Sequence, residues 1–368
     1  MVKVLQVIDS MDRGGAQVFV MNTLRSINRG VFQFDFLVTT SKKCAYDDEI
    51  KNMGGKIYQV PSRRKGIRKN WNELKAFFKE NKYDVVHFHT SCPSYIEPLI
   101  AAKRAGVKKI ILHSHSTSGP KGLYHEIMRR IYRPQIKKFA THYYACSKEA
   151  AEWMYGRFIR PDSITIIPNG IDTGKFTFSN RNYDMKRKEL GISKDKLVIG
   201  HVGRFAKVKN HDFLINLFKV INEKKQGSKL LLIGDGLLLD TIRNKVQELG
   251  ISNDVLFLKE REDVSELMQA MDILVMPSLY EGLPLSLVEA QASGLPCIVS
   301  DTVSKEAALT DLIEFISLGN NIMHWSDRVL LKSSVKDRKQ YNEIVKNSGY
   351  DISQTSKMLE GVYINEKM

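Results

Sequence analysis

Cysteine is scarce and scattered in this sequence: Cys44, Cys92, Cys146 and Cys297 form no Cys-x-x-Cys pair. That excludes a disulfide-stapled scaffold and a zinc ribbon, and it fits a reducing compartment. No run of 18 apolar residues occurs, and the opening residues enter a strand-like pattern without the charged, apolar and small-residue parts of a leader. The expectation is a cytoplasmic chain, neither exported nor membrane-spanning. Low-complexity tracts and fixed-period repeats are also missing, which excludes a solenoid or fibrous array.

What is present is an ordinary globular composition, 43% hydrophobic and 26% charged over 368 residues, long enough for two cores. The charge is uneven. Residues 1–180 hold 30 Lys+Arg against 15 Asp+Glu and residues 181–368 hold 26 against 26, so the net +15 lies entirely in the first half. A one-sided basic surface suits a nucleic acid, an anionic membrane or an anionic substrate.

Short runs rich in Val, Ile, Leu and Phe recur at 2–8, 34–38, 84–89, 109–113, 142–146 and 164–167, with helical or polar stretches between them. The pattern restarts at 197–202, 229–233, 255–258, 272–277, 296–300 and 314–318. Alternating strand and helix predicts α/β structure with parallel, doubly wound sheets. The expected architecture is two Rossmann-like domains facing across a cleft. The polar stretch 171–194, in which 179–182 break the periodicity, reads as a linker and places the boundary near residue 175.

In open α/β sheets ligands sit beyond the carboxyl ends of strands, so residues that directly follow strands carry the chemistry. The stretch from Asp272 to Gly294 reads strand, loop, helix, stop, with Pro284 in the first helical turn and Gly294 just past the end. The Gly282-Leu283-Pro284-Leu285 turn can offer backbone N–H groups to one end of a diphosphate. Glu281 and Glu289 flank it. Beside an anion, carboxylates are useful only toward neutral hydroxyls, one on a sugar and one on a ribose; the alternative is a capping residue and a solvated helix residue. Gly203, Arg204 and Lys209 follow another strand, and their two cations can neutralise a leaving diphosphate or simply face solvent. Gly14, Gly15 and Gln17 follow the first strand, where a double glycine admits close backbone approach or makes a plain tight turn. Two histidine pairs, His87 with His89 and His113 with His115, each share a strand face. With no further ligand nearby in sequence, neither pair is expected to hold a metal.

Together these segments resemble the family 4 glycosyltransferases of the GT-B fold, including bacterial capsule and exopolysaccharide enzymes, over nearly the whole chain. Glu281 and Glu289 match the family's Glu-x7-Glu signature. Gly203, Arg204 and Lys209 match its Gly-Arg and following Lys, and residues 167–172 match its interdomain sequence. The resemblance implies that Arg204 and Lys209 grip the donor diphosphate, Glu281 meets the transferred sugar and Glu289 the ribose. Gly203, Gly282, Leu283, Pro284 and Leu285 complete the donor site, Gly14, Gly15 and Gln17 serve the acceptor and phosphate side, and His115 is the active-site histidine. It further implies transfer with retention from a UDP-hexose or UDP-N-acetylhexosamine, with no cofactor and no metal. The domains implied are 1–175, completed by a closing helix at 350–368, and 176–349. Asn210 departs from the family, standing where many members carry glycine.

Basic runs at Arg63-Arg64-Lys65, Arg68-Lys69, Arg129-Arg130, Arg133 and Lys137-Lys138, interleaved with Ile127, Met128, Ile131, Tyr132 and Ile136, read as a membrane-facing surface. The expected acceptor is a lipid-diphosphate-linked saccharide at the inner leaflet, in surface polysaccharide synthesis. Two alternatives stay open: a basic nucleic-acid-binding protein, for which no recognisable module is present, and another GT-B enzyme such as a sugar-nucleotide epimerase or phosphorylase.

Overall fold

The computed structural model describes residues 1–120, 122–333 and 337–364. The chain divides into two compact units: residues 1–170 with 352–368, and residues 171–351. The boundary therefore falls after Gly170, a few residues before the position read from the sequence.

In the first unit seven strands form one sheet: β1 (Val2–Val7), β2 (Phe32–Val38), β3 (Ile57–Gln59), β4 (Val85–Thr90), β5 (Lys109–Ser114), β6 (His142–Ala145) and β7 (Ile164–Ile166). Their spatial order is β3-β2-β1-β4-β5-β6-β7, all parallel. Both faces are covered, which explains the near-continuous apolar runs. Leu5, Leu37, Val86 and Leu112 enter the core on one face, and Val4, Phe36, Val85 and Ile111 enter that on the other. The second core also takes Leu359, Val362 and Tyr363 from the helix Ile352–Ile364, so the last described helix completes the first unit. The remainder of the expected closing segment, 365–368, lies outside the described residues.

The second unit has six parallel strands: β8 (Val198–Val202), β9 (Lys229–Ile233), β10 (Val255–Lys259), β11 (Ile273–Met276), β12 (Cys297–Ser300) and β13 (Ile313–Ile316). They lie in the order β10-β9-β8-β11-β12-β13. Its two cores again divide alternate residues, with Leu274 and Met276 in one and Ile273 and Val275 in the other.

Three sequence expectations change. β3 is three residues long at a sheet edge, too short to show a periodicity. The supposed linker contains a helix, Asn180–Glu189, whose Ser179 side chain accepts from Asn182 N–H. Its polar composition hid a tertiary anchor: Arg187 is buried and ion-paired with Asp272 at 2.7 Å. Pro284 caps the helix Leu285–Ala292 in an extended conformation and so precedes its first turn. The stop is as expected. Gly294 takes the left-handed conformation (φ +62°), with Gly294 N–H bonded to Gln291 O at 2.9 Å and Leu295 N–H to Ala290 O at 2.9 Å.

Candidate active site

At the carboxyl edge of the second sheet, the loops after β8 and β11 are joined by three contacts. Leu279 N–H donates to Val208 O at 2.7 Å, Asn210 Nδ2 donates to Pro277 O at 3.1 Å, and Lys209 Nζ pairs with Glu281 Oε1 at 2.8 Å. Both charged side chains are mostly buried, 14% and 19% exposed, which makes the pair stronger than a surface one. Asn210 explains its own departure from the family. Its backbone is left-handed, φ +55°, a region where glycine is free and asparagine is the best-tolerated side chain. Asparagine keeps the turn and adds the Pro277 bond.

The Glu281 loop is also held from its other side by Ser304 N–H donating to Glu281 O at 3.1 Å. Beyond it, the first turn of Leu285–Ala292 presents N–H groups that have no partner four residues back in the helix. Glu289 lies within that helix, half-buried, and burial pushes its carboxyl up to about 7. Arg204 is exposed. Gly203 lies close against Lys209, where a Cβ would meet Cε at 3.0 Å.

Sequence reading missed the neighbours of this edge. Gly234, Asp235 and Gly236 directly follow β9, and a Cβ on Gly234 would lie 2.2 Å from Gly203 O. The two loops are in backbone contact, with Phe205 N–H bonded to Asp235 O at 2.9 Å. A Gly-x-Gly directly after a strand was the available signal. His201 and His211 pack beneath the same loop, 4.7 Å apart, with His201 Nδ1 2.8 Å from Val275 O. Burial lowers both, His211 to about 4, and both nitrogens of His211 are buried without a hydrogen-bond partner.

In the first unit the two histidine pairs meet, because β4 and β5 are adjacent with His89 opposite His113. Ring nitrogens of His87, His89 and His113, far apart in sequence, lie within 4.8 Å of one another. Hydrogen bonds already engage most of them. His87 Nδ1 lies 2.8 Å from the Tyr363 hydroxyl and His87 Nε2 lies 3.2 Å from His113 Nδ1. His89 Nε2 lies 2.7 Å from Gln6 Oε1, His89 Nδ1 lies 2.9 Å from His115 Nε2, and His115 Nδ1 lies 3.1 Å from Asn169 Oδ1. Burial holds the rings neutral, His115 at about 4 and the other three well below their ordinary value. A neutral imidazole donates through one nitrogen and accepts through the other. Gln6 and Tyr363 had no signal in the sequence, since their link to the histidines is entirely long-range.

Gly14 precedes the helix Gly15–Ser26 with φ −173°, a conformation open to any residue. A Cβ on Gly15 would meet nothing within 4 Å. A Cβ on Gly14 would come within 2.5 Å of Gln17 Oε1 and push that side chain aside, whereas the space beside Gly15 is open. Gln17 folds back, Nε2 donating to Ser10 O at 3.2 Å. The basic surface separates into two kinds of residue. Arg64, Lys65, Arg68, Lys69, Lys137 and Lys138 are exposed, whereas Ile136 is core and Arg63, partly buried, is an ion-pair partner of Glu97 at 3.3 Å. Among the described residues no helix is long and apolar enough to cross a membrane.

Comparison with known proteins extends these observations. The model "Glycosyltransferase Family 4" matches residues 13–175 and "Glycosyl transferases group 1" matches residues 182–348. EpsF of Bacillus subtilis (strain 168), a protein named as a glycosyltransferase, is 37% identical over 369 residues, covering 98% of this chain and 96% of the relative. The Escherichia coli UDP-Gal:alpha-D-GlcNAc-diphosphoundecaprenol alpha-1,3-galactosyltransferase is 29% identical over 306 residues, 79% of this chain and 78% of the relative. Anabaena HepE, crystallised with UDP and glucose, shares the fold with a TM-score of 0.79 at 18% identity, covering 98% of this chain and 99% of that one. With both of its halves matched in order and its two parallel-sheet domains shared with GT-B enzymes, this chain belongs to the family 4 glycosyltransferases and is a glycosyltransferase.

Proposed function

We propose that the protein transfers a hexose or N-acetylhexosamine, with retention of anomeric configuration, from a UDP-sugar to a lipid-diphosphate-linked saccharide during bacterial surface polysaccharide synthesis. The carrying observation is the Lys209–Glu281 pair, tied into place beside the first turn of Leu285–Ala292. In the transfer, the bond between the sugar's anomeric carbon and the diphosphate breaks while a bond to an acceptor oxygen forms. The acceptor proton leaves with the departing diphosphate. Negative charge grows on that leaving group, and Lys209, Arg204 and the helix N–H groups are of the right sign to stabilise it, without a metal. Glu281 orients the transferred sugar through its hydroxyls, with Gly203, Gly282, Leu283, Pro284 and Leu285 shaping the donor site, and Glu289 takes the ribose. His115 acts as the active-site histidine, and Gly14 and Gly15 admit the acceptor and phosphate closely.

Two relatives support the chemistry: HepE binds UDP-glucose, and the Escherichia coli enzyme acts on a diphosphoundecaprenol-linked sugar. The exposed cations of the first unit suit attachment to the inner membrane leaflet, each adding about 1 kcal/mol near an anionic surface. Calorimetry against UDP, GDP and ADP, with and without a chelator, tests the reading. UDP binding that survives chelation and is lost in Arg204→Ala is expected; indifference to all three nucleotides rejects it.

A further inference from the structure

A cavity of about 900 Å3 opens at the carboxyl edge of the first sheet. Its walls are the loops after five neighbouring strands, contributing Asp9 after β1, Lys42 after β2, Arg64 and Lys65 after β3, Tyr95 after β4 and Tyr124 after β5. The strand order β3-β2-β1-β4-β5 reverses direction at β1, and parallel sheets take ligands at such a reversal. Lys42, Arg64 and Lys65 have no ion-pair partner among the described residues, and Asp9 is the one carboxylate in the lining. The first cation of the Arg63-Arg64-Lys65 run differs. Arg63 Nη1 donates to Ser94 O at 2.8 Å, pairs with Glu97, and lies 5.7 to 5.9 Å from the rings of Tyr95, Tyr124 and Tyr132. Arg63 is thus part of the wall, while Lys65 is exposed and Arg64, also exposed, acts electrostatically on Asp9 in the lining.

At the rim, the helix Leu123–Tyr132 has no buried residue. Leu123, Ile127 and Ile131, four apart and so on one face, are 75%, 44% and 46% exposed. Ile67, also in the lining, is 57% exposed. An apolar stripe beside unpaired cations is the surface that a phosphorylated lipid fits, with anion in the cavity and hydrocarbon along the stripe.

We propose that this cavity binds the diphosphate of the lipid-linked acceptor, through Lys42, Arg64 and Lys65, while the Leu123–Ile127–Ile131 stripe meets the lipid. This rests on the acceptor class proposed above and adds a requirement to it: a saccharide without the diphosphate is a poor acceptor.

Titration of the full-length protein with geranyl diphosphate, inorganic pyrophosphate and geraniol, in saturating UDP, tests this. Filling the donor site first prevents a diphosphate from reporting on Arg204 and Lys209. Geranyl diphosphate is expected to bind, pyrophosphate more weakly, and geraniol not at all. Lys42→Ala/Arg64→Ala/Lys65→Ala should weaken the geranyl diphosphate by about 100-fold, from roughly 1 kcal/mol per cation, and leave UDP affinity unchanged. Wild-type affinity in that variant overturns the site. Equal binding of pyrophosphate and geranyl diphosphate overturns the lipid and leaves a free-phosphate site. Should the triple variant not fold, Lys65→Glu alone, at an exposed position, carries the same reading. The UDP titration reports separately on the donor reading, so the two failures are distinguishable.

Discussion

The two units carry sheets of the same parallel design, yet their carboxyl edges are organised oppositely. In the second unit Lys209 and Glu281 are paired and their loops are bonded to each other, so charge is held in place before any ligand arrives. In the first unit the edge offers exposed cations, Lys42, Arg64 and Lys65, with no ion-pair partner among the described residues, and order lies deeper, in four neutral histidines locked to Tyr363, Gln6 and Asn169. A fixed charge array suits a step where charge develops on a leaving group, because it need not reorganise. Movable cations suit capture of a varied, flexible anion. The same scaffold thus supports different tasks through its loops alone.

The sharpest way to break the comparison is to remove the fixed array. Lys209→Ala and Glu281→Gln should each lower turnover by about 100-fold or more, measured by sugar release from the donor, with thermal unfolding little changed. Wild-type rates in both would place the chemistry elsewhere. Next in size, Asn210→Val forces a β-branched residue into a left-handed backbone and deletes the Pro277 bond. A loss of about 1–2 kcal/mol in urea unfolding is expected, whereas Asn210→Gly should retain the turn. If valine is tolerated, the loop is less fixed than its three contacts imply.

On the other side, Tyr363→Phe removes the hydroxyl beside His87 Nδ1 and should cost about 1 kcal/mol of stability without altering UDP affinity. A change in UDP affinity would show that the histidine network is not confined to the first unit's interior. The last effect appears only as pH changes and concerns Glu289. Its carboxyl rises from an ordinary 4.5 to about 7 on folding. A raised acid penalises the folded state as pH climbs from the unfolded value through the folded one, and not below it. Glu289→Gln should therefore match wild-type stability near pH 4, gain on it progressively between pH 4.5 and 7, and hold that gain at pH 8. Unfolding curves at three pH values check this, and a parallel loss of UDP affinity is expected.

Much of the second unit's edge could be read in advance because its signals are local. Glu281 and Glu289 lie around one strand, loop and helix, and Gly203 to Lys209 is a single turn after β8. The first unit resisted for the opposite reason. His89 meets His113 only through β4–β5 pairing, and the partner of His87 lies 276 residues away. Arg63, Arg64 and Lys65 look alike as letters, yet packing of the first against Glu97 and three tyrosines separates it from the others. The helix Asn180–Glu189 was hidden by polarity, since what fixes it is one buried arginine rather than an apolar face.

The closing helix also sets an order of events during synthesis. Leu359, Val362 and Tyr363 fill the core over β1 and β2, so a ribosome must translate the entire second unit before the first can be sealed. The unit made first is finished last. Until then its growing chain carries an open apolar seam and an incomplete histidine network, the kind of surface that chaperones bind. A stalled or truncated message ending before residue 352 would yield a folded second unit attached to an unsealed first one.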